Sequence, residues 1–124
     1  MRNGHAALTT VLFFSFTLGA SAQGENTSFQ WKFEEACKLN EERFHNQAAD
    51  IWKQLVEAQP ENSNLNWKLG SSYMNSYNQK AKALPYLQTA SDRRGKGNGA
   101  FNATGYDPFD SKETNAPVEV DYWL

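Results

Sequence analysis

Apolar residues recur at helical spacing in two successive stretches of this chain, and that repetition constrains the fold more than any other feature. The first amphipathic stretch begins at Phe29, with apolar residues at intervals of three or four among charged ones. A second apolar series runs from Ala48 to Pro60, a residue that cannot continue a helix. The polar residues 45–47 between them indicate a tight turn. These features predict an antiparallel helical hairpin.

The same arrangement returns in residues 63–90. Asn62 or Ser63 can serve as the N-cap of a third helix. A polar turn then leads to a fourth helix, which contains Pro85. If that helix begins near Lys82, Pro85 falls in its first turn, where a missing N–H does least harm. The sequence thus predicts a second hairpin.

The two hairpins share a period of about 34 residues when Phe29 and Ser63 are taken as equivalent positions. Ala36 then matches Gly70, which predicts a point in each hairpin where two helices approach closely and only a small side chain fits. We therefore expect an all-α fold in which antiparallel hairpins stack over residues 29–90.

Residues 29–90 resemble the tetratricopeptide repeat (TPR) family in this period, in the small residues at 36 and 70, and in Pro60 at the end of the first repeat. They depart from its pattern where the consensus Trp is displaced to Trp67 and where the second repeat lacks a closing proline. The resemblance implies a short right-handed superhelix of stacked hairpins, with the first helix of each repeat lining a concave groove. The alternative is an unrelated helical bundle.

Residues 1–22 have the pattern of a signal peptide. Arg2 supplies positive charge, an apolar stretch ends near Leu18, and Ala20 and Ala22 form a small-residue cleavage pattern. The apolar stretch of about 12 residues is too short to cross a bilayer, which takes roughly 20. We expect an exported protein with no transmembrane segment after cleavage, beginning with a polar, flexible leader at residues 23–28.

Charge and cysteine content narrow the choice of partners. Removal of Arg2 lowers the 12 basic residues to 11 against 14 acidic ones, a net charge of −3. The mature sequence has no basic stripe, which argues against nucleic acid as a partner. The single cysteine, Cys37, excludes an intramolecular disulfide and is expected to be a small buried hydrophobe.

The titratable residues offer no candidate active site. His45 is the one histidine left after cleavage and Cys37 the one cysteine, whereas a zinc site needs about four ligands. No serine has plausible His and Asp partners. The glycine-rich residues 95–100 follow a helix instead of a strand, which argues against a nucleotide-binding loop. We predict a non-enzymatic protein with no cofactor, metal or small-molecule substrate.

The C-terminal third differs from the repeats in composition. Residues 91–116 are rich in Gly, Asn, Asp and Ser and predict a long loop, in which Tyr106 and Phe109 can dock back on the repeats. Helical spacing restarts in residues 117–124, which we interpret as the start of an incomplete third repeat. This ending predicts a fragment of a longer protein; the alternative is that residues 122–124 plug the groove or a partner.

The order of these features resembles the N-terminal part of exported OmpA-family proteins of the Gram-negative envelope, which join TPRs to a beta-propeller and a peptidoglycan-binding domain. The features are the signal peptide, the two repeats, the sequence Tyr106-Asp107-Pro108-Phe109-Asp110, and residues 115–119 opening another repeat. The resemblance implies a periplasmic or outer-membrane-associated protein. Neither downstream domain lies within these 124 residues, so peptidoglycan binding is not implied.

The predicted groove is neutral, amide-rich and aromatic. By the 34-residue alignment it is lined by Gln30, Phe33, Asn40, Trp67, Ser71, Met74 and Asn75. Such a surface suits a protein or peptide partner, with Trp67 as a large rigid contact. An alternative places Phe33, Trp67 and Met74 in the core between helices. We predict a protein-binding adaptor of the cell envelope; the alternative is a structural N-terminal spacer of a larger OmpA-like protein.

Overall fold

The structure, a computed structural model, describes residues Thr17–Lys96 and Tyr106–Leu124, with side chains from Thr27 onward. The helices are α1 (Thr17–Glu41), α2 (His45–Ala58), α3 (Ser63–Asn75), α4 (Ala83–Arg93) and α5 (Val120–Trp123). No strand occurs within these two ranges, and the predicted all-α class is confirmed. None of the helices described is both long and apolar enough to span a bilayer.

Helix α1 is longer than the sequence predicts. It begins at Thr17 and continues through residues 23–28, where the polar composition predicts a flexible leader. No proline interrupts this stretch, and extending an existing helix is easier than nucleating one, so the helical backbone continues beyond its packed part. Residues 1–16 hold most of the predicted signal peptide and lie outside the described residues. The signal peptide therefore stays a prediction.

The first hairpin turns at residues 42–44, whereas the sequence predicts the turn at residues 45–47, which belong to the first turn of α2. Arg43 has a φ of 66°, in the left-handed region. Its N–H donates to the carbonyl of Asn40 at 3.1 Å, and the N–H of Phe44 donates to the carbonyl of Leu39 at 2.8 Å. This pair of bonds is the Schellman motif that closes a helix C-terminus. The local sequence does not predict the motif, because arginine seldom adopts this conformation.

The second hairpin begins as the sequence predicts. Asn62 is the N-cap of α3, and its Oδ1 accepts a bond from the backbone N–H of Leu65 at 3.0 Å. This bond satisfies one of the N–H groups that a helix start leaves unpaired. A short 3-10 turn at Lys80–Lys82 leads into α4, and Pro85 lies in the first turn of that helix. Its missing N–H therefore breaks no helical bond.

Each helix packs against the next along the chain, and the buried faces share one core. In the first hairpin the Phe33 and Trp52 rings are fully buried and meet edge to face, with centroids 5.1 Å apart. In the second, a Cβ on Gly70 would lie 2.6 Å from Leu87 Cδ2. The predicted close approach at Gly70 is confirmed. Its alignment partner Ala36 is also fully buried.

The C-terminal part folds back over the second hairpin. Residues 106–119 form turns, and α5 follows them. Ala116 and Val120 are fully buried in the core. The Ser91 hydroxyl at the end of α4 donates to Asp121 Oδ1 at 2.7 Å. These contacts attach the last residues of the chain to α3 and α4.

Candidate peptide-binding face

Helices α1 and α3, the first helices of the two hairpins, are both contacted by residues 106–116, which we call the docked segment. We call the four residues that receive it the α1–α3 face: Cys37, Ser63, Asn64 and Lys68. The two helices also contact each other, since the Ser72 hydroxyl donates to Asn40 Oδ1 at 3.1 Å. The face is therefore built by both hairpins.

Asn64 makes three bonds to the docked segment and is completely buried. Its backbone N–H, free of a helical partner in the first turn of α3, donates to the carbonyl of Thr114 at 3.1 Å. Its Nδ2 donates to the carbonyl of Glu113 at 3.3 Å, and its Oδ1 accepts from the Tyr106 hydroxyl at 2.9 Å. One side chain thus holds both ends of the docked segment.

Lys68 lies one helical turn beyond Asn64 and is 8% exposed. Its Nζ donates to the carbonyl of Pro108 at 2.6 Å and lies 5.3 Å from the ring centroids of both Phe33 and Trp52. Burial lowers the pKa of the Lys68 ammonium below its usual value. The carbonyl and the two aromatic faces compensate part of the lost hydration of this cation.

Ser63 joins the docked segment to the second hairpin. Its Oγ donates to the carbonyl of Ala90 at 2.5 Å and accepts from the backbone N–H of Ala116 at 3.1 Å. Ser63 is 1% exposed, so both partners are shielded from water. The C-terminal end of the docked segment is the more firmly packed end, because Ala116 is completely buried there.

The docked segment uses its own acidic side chains to bond its backbone donors. Asp107 Oδ1 accepts from the N–H of Phe109, and Asp110 Oδ1 accepts from that of Lys112, both at 2.9 Å. Glu113 Oε1 accepts from the N–H two residues later at 2.8 Å. These local turns leave backbone carbonyls as the groups presented to Asn64 and Lys68. The segment therefore bonds the face mainly as an acceptor.

Cys37 borders the same contact from α1. Its Sγ lies 3.9 Å from the carbonyl oxygen of Pro108, and burial raises the pKa of the thiol. A thiol with a raised pKa is a poor nucleophile. Cys37 was expected to be buried, and the structure leaves it half-buried. Across the described ranges no group of three or more His, Cys, Asp or Glu side chains is placed to hold a metal ion.

The seven side chains predicted to line a groove occupy different environments. Phe33 is in the core. Gln30 and Asn75 are exposed and bond within their own helices, to Glu34 and to the Ser71 carbonyl, each at 2.9 Å. Ser71 itself is half-buried and donates to the Lys68 carbonyl at 3.1 Å. The structure does not bring these residues together as one open surface.

The remaining three predicted residues lie between helices. Asn40 is half-buried and bonds His45 Nδ1 at 3.0 Å, and Met74 packs on the edge of the core. Trp67 is half-buried and meets Trp123 edge to face, with centroids 5.0 Å apart. Trp123 is one of the C-terminal residues that the sequence offers as a plug of the groove. It covers Trp67, the predicted rigid contact for a partner. Of the aromatic residues expected to dock, Tyr106 does so, whereas Phe109 is 59% exposed.

The sequence did not single out Asn64 or Lys68 as binding residues. They lie four positions apart and therefore on one side of α3, and that polar spacing is the signal that the sequence offers. Their burial depends on the docked segment, which is some forty residues distant in the chain. No local pattern reports such a contact.

A groove of about 810 Å³ remains open beside the docked segment. Its walls come from residues 28–32 in the middle of α1, the end of α2 and residues 111–114, and it includes Gln30. No protein-family model, curated protein or solved structure matches this chain.

Proposed function

We propose that this chain is a non-enzymatic protein-interaction module whose α1–α3 face binds a peptide segment. One observation carries the proposal: the face already holds a segment of the chain itself, folded in short turns, with Asn64 and Lys68 donating to its backbone carbonyls. Bonds to backbone carbonyls are available from any extended chain, while side-chain pockets select among sequences. The partner is a protein or peptide, without nucleic acid, cofactor or small-molecule substrate.

The same proposal includes a TPR-like architecture with stacked, right-handed hairpins. The 34-residue repeat, the small residues Ala36 and Gly70, and the packing of each helix on the next support it. The contact of α5 with α4 continues the series as a further repeat does. Export to the periplasm or outer membrane rests on the pattern of residues 1–22 and on the order of segments that resembles OmpA-family proteins.

Binding is tested with the full chain on an array of 11-residue peptides of varied sequence. We expect a subset of peptides to bind, and we expect Asn64→Ala to lose them because it removes one hydrogen-bond donor and one acceptor of the face. Asn75→Ala, an exposed amide bonded within its own helix, is the matched control. Equal peptide capture by Asn64→Ala at unchanged helicity would rule out this face.

Export is tested separately by fusing residues 1–28 to a reporter enzyme that is active only outside the cytoplasm. Reporter activity is expected, and it should vanish when Leu12 and Phe13 in the apolar stretch are replaced by Arg. Cytoplasmic retention of the unaltered fusion would contradict the proposed location.

A structural spacer of a larger envelope protein is the second candidate. The observation that favours it is that the chain covers its own face, burying Asn64 and Lys68. A spacer predicts an empty peptide array and an Asn64→Ala variant that changes only the free energy of unfolding.

A further inference from the structure

The docked segment bonds the α1–α3 face through a short pattern of groups. Tyr106 supplies a hydroxyl to Asn64, and two residues later Pro108 supplies a carbonyl to Lys68. The acceptor and the donor on the face are one helical turn apart on the same side of α3, about 6 Å along its axis. A ligand must therefore place a tyrosine hydroxyl and a backbone carbonyl at a matching separation.

Proline at position 108 suits this geometry for two reasons. It biases Asp107 toward an extended backbone, which keeps the tyrosine side chain and the carbonyl apart. It also has no N–H, so no backbone donor is left unpaired beside the Lys68 ammonium. The pattern of tyrosine, any residue, proline is therefore matched to Asn64 and Lys68 by shape and by bonding.

The N-terminal part of the docked segment is held mainly by polar bonds. Residues 107–110 are all exposed, and Phe109 has 59% of its surface in water. Each neutral hydrogen bond adds little net stability because it replaces bonds to water, and a bond from a charged donor such as Lys68 adds more. A partner segment that offers the same hydroxyl and carbonyl replaces these bonds one for one, so exchange preserves the bonds of the face and has to overcome the advantage that covalent attachment gives the built-in segment.

From these contacts we infer that the docked segment is a built-in ligand, and that the α1–α3 face binds partner proteins in competition with it, through a Tyr-x-Pro sequence whose proline enters a turn as Pro108 does. The inference rests on the proposed function and deepens it by naming the partner sequence. The occupant is a segment of another protein, and the chain's own Tyr106–Ala116 lowers the apparent affinity for it. Partner binding then requires release of residues 106–110.

The test uses a fluorescent peptide with the sequence of residues 106–116 and the full chain, with anisotropy as the readout. Tyr106→Phe weakens the built-in ligand by one hydrogen bond and should bind the peptide about 3- to 10-fold more tightly than the unaltered chain. Asp107→Ala, at an exposed position, loosens the segment by another route and should act in the same direction. Tyr77→Phe, at a 96% exposed tyrosine, is the control.

The face itself is tested in the Tyr106→Phe chain. Adding Lys68→Met should weaken peptide binding about 3- to 10-fold, and a peptide with Phe in place of its tyrosine should lose a similar factor. Circular dichroism checks that each chain remains helical. Opposite effects of substitutions in the segment and in the face distinguish competition from general loosening of the structure.

Several results would overturn the inference. If a scrambled peptide of the same composition binds equally well, binding does not depend on the Tyr-x-Pro sequence. No binding of the Tyr-x-Pro peptide, while other array peptides still bind, refutes the inference and leaves the proposed function standing. An empty array refutes both. A dimer formed by exchange of residues 106–116 between copies would make a second copy the occupant, which also overturns it.

Discussion

The 34-residue alignment pairs positions on the first helices of the two hairpins. The paired positions nevertheless lie in opposite environments. On α1, Gln30 and Glu34 are exposed and bond each other. On α3, the matching Asn64 and Lys68 are buried. The difference comes from residues 106–116, which bond α3 through these two side chains. Repetition of a fold therefore does not imply repetition of a binding surface.

The hairpins also differ in how they fill their helix crossings. The first packs the large Trp52 against Phe33, beside the small Ala36. The second brings the helices close enough for Leu87 to lie against Gly70. Large-to-small exchange across the crossing keeps both interiors filled. The packing of the first crossing therefore depends on the volume of the Trp52 and Phe33 rings. The packing of the second depends on the absence of a side chain at Gly70.

The largest expected effect is on the free energy of unfolding, when the Phe33–Trp52 contact of the first hairpin is removed. Trp52→Ala removes a completely buried ring that contacts Phe33 and Lys68, and should lower the free energy of unfolding by about 3–5 kcal/mol. Urea denaturation followed by circular dichroism measures it. Trp31→Ala, at a 62% exposed position, should change stability by no more than about 0.5 kcal/mol. A similar loss for both would mean that the Phe33–Trp52 contact is not the centre of the first hairpin.

The close crossing of the second hairpin should respond to an added methyl group. Gly70→Ala is expected to destabilise by about 1–2 kcal/mol, because overpacking against the 2% exposed Leu87 outweighs the helix propensity of alanine. In a Leu87→Ala background the same change should stabilise by up to about 1 kcal/mol. Double-mutant analysis of unfolding measures the coupling. Equal effects in the two backgrounds would show that Leu87 does not limit this position.

A smaller effect is expected in the turn of the first hairpin. Arg43, in the first turn, is the one non-glycine residue with positive φ in the described part of the chain. Arg43→Gly should stabilise by up to about 1 kcal/mol, since glycine adopts this region without steric cost. Glu42→Gly, at the preceding position, should instead destabilise because it frees the unfolded chain without relieving strain. Thermal unfolding compares the two, and a loss for Arg43→Gly would contradict the Schellman assignment.

The smallest expected effect concerns pH and the covered face. Because burial lowers the Lys68 pKa, the unfolded chain binds more protons than the folded one as pH approaches the ordinary lysine value of 10.5. The contribution of Lys68 to stability should therefore rise with pH in that window. The measurement is the difference in unfolding free energy between the unaltered chain and Lys68→Met, at pH 7 and at pH 9.5.

The raised pKa of Cys37 acts in the opposite direction above pH 9, and the Lys68 charge itself lowers that pKa, so both chains of the comparison should carry Cys37→Ala. Lys53→Met, on the exposed side of α2, controls for the loss of a lysine. A pH-independent difference between the unaltered chain and Lys68→Met would contradict the burial of this ammonium. Such a result would place the docked segment elsewhere than over α3.

The candidate site was harder to predict than the helices because it depends on a contact distant in sequence. The TPR-like alignment placed a groove at Trp67 and Met74, whereas the structure covers Trp67 with Trp123 and puts Phe33 in the core. The sequence predicts that Tyr106 can dock on the helices, but it does not indicate its partner Asn64. Neither the depth of a side chain nor its partner follows from spacing when a later segment returns over the helix.

What the sequence by itself determined is the presence of four helices in two hairpins, an N-cap at Asn62 or Ser63, the position of Pro85 in a first turn and the close approach at Gly70. Each depends on local backbone chemistry or on apolar spacing within a few turns. Only the tertiary structure decided which first helix is covered and that Lys68 donates to the Pro108 carbonyl. Those outcomes depend on how the chain closes a long loop, and local preferences contain no information about where its end docks.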